Sequence, residues 1–475
     1  MRLLESFLSA YTLGSFFDVS FAKPLGHDVK QSSSPKVFNY GRGLPSNSDS
    51  KHLRPVLEPR KQPEPEKRIG SDGPDTKVAG YAKGEFAKGE PISSFGKGAV
   101  ISGGTNNLID VQNPSNLGQE PTDNGVVVNL KWRFSDSKTN LYNGGFVREQ
   151  VITDLPSSKD ISGAQQHLKK GAFRTLHWHK VSEWAFVYAG RVAISAVNEK
   201  GENQYDILGP GDIWFFPKGV AHGVQGLDED NEFLLVFDDG DFDATGVTFN
   251  VDDWVAHTPK DILAKNFGLL LPTTKGGVNA SVFDDVPKTN PKILPGNVPP
   301  DQNVDHPIGD ISKSNSTYVI RSKDVKPIVA PGGGGTIQIF DSRNFPISST
   351  IAASVVTIKP GGLRELHWHP TVQEWVYFAQ GQARATVFMG NAAARTFDFA
   401  AGDTAVFPDN SGHYVENTSE TEDLIWIEIF KADRIADISL TQWLALTPAP
   451  YVAQSLNISI DFVKHLKKEK QLIIA

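Results

Sequence analysis

A pattern of histidine, glutamate and glycine is written twice in this chain, and the repetition constrains the fold more than any other feature. The first copy runs Gly171-Ala-Phe-Arg174-Thr-Leu-His177-Trp178-His179, with Glu183 and Gly190 behind it. The second runs Gly361-Gly-Leu-Arg364-Glu-Leu-His367-Trp368-His369, with Glu374 and Gly381. Each leads to one more histidine: His222 follows Gly211 and Pro217, and His413 follows Gly402 and Pro408. Two sets of three His and one Glu therefore recur about 190 positions apart, the mark of a duplicated unit. The length of 475 residues agrees, because it exceeds what one core usually fills.

Around both copies the texture is that of short alternating strands broken by Gly, Asn and Asp. Examples are Val126-Val-Val-Asn-Leu-Lys-Trp132 and Val187-Tyr-Ala-Gly-Arg-Val-Ala-Ile194 in the first unit, and Ser354-Val-Val-Thr-Ile358 and Leu424-Ile-Trp-Ile-Glu-Ile-Phe430 in the second. Short strands at regular turn spacing predict an all-β fold, a sandwich or barrel in each unit. Each unit ends in a short helical tail, Asp252 to Phe267 and Thr441 to Leu456. The units are bounded as 121–270 and 318–475, with a Pro/Gly/Asn/Asp-rich linker at 271–317. Residues 23–120 are rich in Pro, Gly, Ser and Lys without a sustained period and are expected to be flexible; Lys67-Arg68 is a candidate processing site for a pro-region.

Residues 1–22 have the outline of a secretory signal, with Arg2, an apolar stretch from Leu3 to Phe17 and the small-residue site Ser20-Phe21-Ala22, although Glu5 and Asp18 interrupt it. Secretion is the expectation. Sequons at Asn279, Asn315, Asn417 and Asn457 then become candidate glycan acceptors. A formal net charge of -8 leaves no basic footprint for nucleic acid, and no apolar run is long enough for a membrane span. There is no cysteine, so a metal has to be held by nitrogen and oxygen.

On a strand, residues i and i+2 share a face, so His177 and His179 project together while Trp178 points away. A tight turn brings Glu183 back alongside, and a later strand supplies His222. The same reading gives His367, His369, Glu374 and His413. Three imidazoles and a carboxylate suit a divalent Mn, Fe, Ni or Zn ion, and an octahedral ion keeps two positions open, which is a catalytic arrangement. Arg174 and Arg364 lie three residues before the first histidine, an odd offset that leaves their facing open; a bulge there would set a guanidinium beside the metal, where it binds a small carboxylate.

These residues resemble the cupin superfamily, and within it the two-cupin oxalate decarboxylases and oxalate oxidases. The pattern G(x5)HxH(x3,4)E(x6)G is met by Gly171, His177, His179, Glu183 and Gly190, and by Gly361, His367, His369, Glu374 and Gly381. In the downstream pattern G(x5)PxG(x2)H(x3)N, Gly226 stands at the Asn position of the first copy and Asn410 at the Gly position of the second. The resemblance runs from about Asn124 to the C-terminus. It implies two tandem cupin (double-stranded β-helix, jelly-roll) barrels, Mn(2+) with two ions per subunit, and O2-requiring cleavage of oxalate to formate and CO2 in a hexameric homo-oligomer. It also implies a lid after the first barrel that carries a glutamate acid in decarboxylases. Here the segment reads Phe242-Asp243-Ala244-Thr245-Gly246-Val247-Thr248-Phe249, without Glu and closer to the lid of bicupin oxidases. Asp243 and, in the second unit, Glu428 are the candidate proton donors, with Arg174 and Arg364 as substrate-binding residues. The decarboxylase is the first reading and an oxidase giving CO2 and H2O2 the rival. A bicupin storage protein is disfavoured because all eight ligands are present. Trp178 and Trp368 stand as core aromatics or, by the resemblance, as stacking residues between subunits.

Overall fold

The computed structural model describes residues 122–269, 280–287, 292–296 and 318–475, and the expected leader, flexible segment and Lys67-Arg68 site lie outside them. The all-β expectation holds: two barrels form, each from a seven-stranded and a six-stranded sheet of antiparallel strands.

In the first barrel the seven-stranded sheet centres on Asp230–Phe237, flanked by Glu183–Ala189 and Ser162–Lys169. The second repeats this with Leu424–Phe430 between Glu374–Gln380 and Ala352–Ile358. Strand register makes the two directly comparable. Phe237 pairs with Ser162 and Phe430 with Ala352, so Leu235 corresponds to Glu428 and Ala164 to Ser354.

The central strands read as nearly continuous apolar runs because both of their faces are buried. Phe233, Leu235 and Phe237 face the interior of the first barrel. Leu234 and Val236 face the other way and join Trp184, Phe215, Trp375, Ile427 and Ile429 in a core shared by the two barrels. The barrels also exchange their leading strands. Lys131–Arg133 pairs with Asp403–Phe407 of the second barrel, and Val319–Arg321 pairs with Asp212–Phe216 of the first. Equivalent ion pairs latch both: Arg133 Nη1 to Asp403 Oδ1 at 2.8 Å, and Arg321 Nη1 to Asp212 Oδ2 at 2.6 Å.

Both departures from the downstream motif have a structural answer. Asn410 adopts φ 59° where Gly219 has φ 84°, a left-handed turn that asparagine tolerates. Asn417 donates from Nδ2 to the carbonyl of Ile358, whereas in the first barrel the equivalent carbonyl, that of Leu168, is served by Asn231 from the neighbouring strand. A Cβ at Gly226 would lie 2.6 Å from Asn231 Nδ2, so the glycine makes room for the relocated amide.

Within the stretch read as a linker, Ile293–Leu294 is a strand that pairs with Phe173–His179. That segment is therefore part of the first barrel's wall, and its counterpart in the second barrel is Ile473–Ile474 at the C-terminus.

Asp403 is fully buried between Lys131, at 3.0 Å, and Arg133. Asp403→Ala leaves two buried cations without their carboxylate and is expected to cost about 3–5 kcal/mol of stability, read as a lowered midpoint in denaturant unfolding.

Candidate metal centres

The strands that carry the first two histidines are each bulged where the arginine question turns. His177 pairs with His222, but Arg174 pairs with Val224, so three residues on one strand span two on the other. The second barrel repeats this, with His367 opposite His413 and Arg364 opposite Val415. The extra residue restores Arg174 and Arg364 to the histidine face. The freed amides are not wasted: Thr175 N–H donates to the carbonyl of Lys292, and Glu365 N–H to that of Leu472.

The same bulge aims a carbonyl at the first histidine. Thr175 O lies 2.6 Å from His177 Nδ1, and Glu365 O lies 2.7 Å from His367 Nδ1. Val220 O, Ala436 O and Ser411 O face Nδ1 of His222, His369 and His413, while Nδ1 of His179 meets the Thr248 hydroxyl. A carbonyl only accepts, so Nδ1 of His177, His222, His367, His369 and His413 carries the proton and Nε2 of each turns a lone pair to the centre; the Thr248 hydroxyl is able to accept from His179 Nδ1 in the same way. In both sets the candidate ligand atoms of the four residues all lie within 4.8 Å of one another, and all eight side chains are buried. Among the described residues, Nε2 of His367 has no hydrogen-bond partner, and Nε2 of His179, His222 and His369 face a glutamate oxygen at 3.1, 3.4 and 3.0 Å. Buried nitrogen lone pairs converging beside a carboxylate fit a divalent ion and little else.

Electrostatics keep the ligands in their metal-binding forms. Burial lowers the pKa of His177 and His367 well below the ordinary value and that of His179 to about 4. Burial pushes Glu183 and Glu374 upward, but the adjacent imidazoles outweigh it and both carboxyls end well below the usual range. Trp214 Nε1 also donates to Glu183 Oε1 at 2.8 Å.

Around this shared core the two centres differ. The first opens into a cavity enclosing about 490 Å³ of empty space, part of it open to solvent, lined by His177, His179, Glu183, Arg174 and by apolar residues such as Leu235 and Phe237. Among the described residues the hydrogen-bond partners of Arg174 Nη1 are neutral, chiefly Asn250 Oδ1 at 3.1 Å. Burial lowers its pKa to about 10, because Glu183, Tyr142, Glu149 and Asp252 compensate only in part. Arg364 is instead ion-paired with Asp437 at 2.7 Å, and Asp437, Glu428 and Glu374 overcome its burial and raise its pKa. Among the described residues, Arg174 is thus a desolvated cation without a direct ion pair, whereas Arg364 has one in Asp437.

Glu428 lies at the Leu235 position, fully inside the second barrel, with the Ser354 hydroxyl on Oε1 and Trp426 Nε1 on Oε2 at 3.3 Å. Burial and the charge of Glu374 push its pKa up to about 7, so it holds its proton in mildly acidic solution. Asp243 is not brought to either centre. The side chain before it, Phe242, takes the inward position, stacked on Phe237 and 5.3 Å from the His179 ring, which turns Asp243 out to solvent near Asp154. Trp178 stacks on Phe249 with Trp254 at its edge, and Trp368 meets Trp443 likewise. Glu149, Lys292, Thr248 and Asn250 were missed by sequence reasoning; the first three line the cavity, but nothing in their spacing marks them.

Bulge-aimed histidines, a glutamate and a downstream histidine, built twice on jelly-roll barrels, define a bicupin metalloprotein. Residues 134–275 and 323–464 match the cupin family, and the chain belongs to it. It is 56% identical over 388 residues to a probable oxalate decarboxylase of Arthroderma benhamiae, covering 82% of this chain and 93% of that one. A second protein of that organism, an oxalate decarboxylase, is 52% identical over 421 residues, covering 84% and 97%. The oxalate decarboxylase OxdC of Bacillus subtilis is 42% identical over 380 residues, covering 80% and 95%. The solved structure of the Bacillus enzyme at pH 4.6 superposes with a TM-score of 0.73 at 41% identity, covering 81% of this chain and 97% of that one. Another structure of that enzyme comes from work on its Mn(II) centres.

Because Glu428 is held above its unfolded pKa, its contribution to stability is fully present below about pH 4.5 and is lost as the pH rises through about 7. Between these values the wild type is expected to lose stability relative to Glu428→Gln, which thermal unfolding across the pH range measures in metal-depleted protein.

Proposed function

We infer that this chain is an oxalate decarboxylase, converting oxalate to formate and CO2 with two manganese ions per subunit. The observation that carries the reading is Arg174: a buried guanidinium that has no carboxylate hydrogen-bond partner among the described residues and lines one cavity with His177, His179 and Glu183, in a chain 56% identical to a probable oxalate decarboxylase. Oxalate is the kind of ligand such a cavity lacks, a small dianion with a planar carboxylate that matches a guanidinium.

The ions would be held by His177, His179, Glu183 and His222, and by His367, His369, Glu374 and His413. A bound manganese ion would supply Lewis acidity and a one-electron couple. The chain's own residues do the rest. Arg174 neutralises and orients the oxalate, while Leu235, Phe237 and Phe242 exclude water from the reacting carbon. We assign turnover to the first centre, since Arg364 is already neutralised by Asp437. Glu428 is then the acid of the second centre.

The reaction is proposed to require O2 and to run in a homo-oligomer, a hexamer by the family resemblance. Exposed aromatics on the two helical tails, Trp254 and Trp443, support association between subunits. Secretion is proposed from the leader-like residues 1–22. Of the candidate glycan acceptors, Asn417 is buried with its amide engaged, whereas Asn457 is exposed.

With oxalate, the manganese-loaded protein is expected to give formate and CO2 in equal amounts; peroxide in stoichiometric yield without formate would establish the oxidase instead. Arg174→Gln is expected to lower kcat/KM by about 100-fold with metal content unchanged. Mass spectrometry of the secreted protein is expected to show an N-terminus beyond residue 22, a glycan at Asn457 and an intact mass of several subunits; an unprocessed monomer would reject all of this.

A further inference from the structure

Cleavage to formate needs a proton delivered to carbon, and the lid of the first barrel holds no group to deliver it. Its one carboxylate, Asp243, faces solvent. Two of the residues lining the first cavity carry carboxylates, Glu183 and Glu149. Glu183 is committed: Oε1 accepts from Trp214, and Oε2 lies 3.1 Å from His179 Nε2 and 3.4 Å from His222 Nε2. Glu149 remains.

Its position follows from register. In the first barrel Glu149, Ala164, Leu235 and Ala185 form one row across four neighbouring strands. The matching row of the second barrel is Ile339, Ser354, Glu428 and Val376. Both barrels therefore carry one non-ligand carboxylate in the same row, at the same depth behind the metal-binding glutamate. In the first it has moved two strands along, roughly 10 Å at the usual strand spacing. Leu235 and Ala164 fill the places of Glu428 and Ser354, so the acid sits opposite an apolar wall. Lys292 lies 4.0 Å from Glu149 Oε1. The lysine's own backbone is fixed by the bulge, its carbonyl receiving Thr175 N–H at 3.2 Å and Arg174 Nη1 at 3.4 Å. The guanidinium that binds the substrate and the cation that holds Glu149 are thus tied to one backbone point.

We propose that Glu149 is the proton-transferring carboxylate of the first centre. This rests on the oxalate reading above. Starting from hydrogen oxalate, the Glu149 carboxylate removes the proton from the substrate's O–H. The C–C bond breaks and CO2 leaves. The carbon left behind takes the proton back from the Glu149 carboxylic acid, so the electron pair of the C–C bond ends in the C–H bond of formate. One carbon is oxidised and the other reduced, with no net oxidant consumed.

The test uses full-length, manganese-loaded protein as wild type, Glu149→Gln, Glu149→Ala and Glu428→Gln. Glu149→Gln is expected to keep two ions per chain and the change in manganese EPR signal on adding oxalate, yet to form formate at least about 100-fold more slowly. Glu149→Ala is expected to regain formate production as acetate is added, which a merely structural role would not allow. Formate production by Glu149→Gln within twofold of wild type overturns the proposal. Absence of acetate rescue together with loss of activity in Glu428→Gln alone also overturns it, by moving the chemistry to the second barrel. A wild type that yields no formate at all fails in its own arm and takes the oxalate reading down first.

Discussion

One extra residue in the strand ahead of each His-x-His is the constraint on which both centres depend. Without the bulges at Thr175 and Glu365, strand alternation would put Arg174 and Arg364 on the face opposite the histidines. With it, a single backbone irregularity turns the guanidinium inward, presents a carbonyl to His177 or His367, and leaves an amide that has to be satisfied from outside the barrel strand. Lys292 and Leu472 answer that last demand, and their segments are thereby made part of the sites. The hydrogen bonding that fixes the imidazole tautomer is thus a by-product of the same bulge that turns the guanidinium inward.

Duplication kept this backbone and let the side chains around it diverge. The first barrel places leucine where the second places Glu428, and gives Arg174 neutral hydrogen-bond partners where Arg364 has Asp437. A buried cation without a direct ion pair is costly, and that cost is met inside the second barrel by Asp437 but only in part inside the first. Identical ligand sets therefore need not mean identical chemistry.

Much of this was legible in the sequence. The eight ligands follow from period-2 alternation and a repeated spacing, and the fold class follows from the same strands. The arginines were ambiguous because an odd offset can be resolved only by knowing whether the strand is bulged, and that depends on partners more than 100 residues away, as at Lys292 and Leu472. The linker reading of 271–317 failed locally at Ile293–Leu294 for the same reason: a two-residue strand has no periodicity to detect. Asp243 is the lid's one carboxylate and so the donor its composition suggests, but the stacking of Phe242 on Phe237 decides which side chain enters. Asn231 and Glu149 were invisible since each does a job one or two strands away from where its counterpart does it.

That kind of relocation is possible because the barrels are not independent. Their seven-stranded sheets share one apolar core, and each begins on a strand lent to the other through the Arg133–Asp403 and Arg321–Asp212 latches. Glu183–Ala189 and Glu374–Gln380, the strands that carry the two metal-binding glutamates, send Trp184 and Trp375 into that shared core, so neither can be lost without exposing the other barrel's outward face. Selection on the reaction then acts on only a few side chains facing each cavity. A carboxylate can migrate along a row, or an amide across to a neighbouring strand, as long as the backbone atom it serves and the depth at which it works are kept.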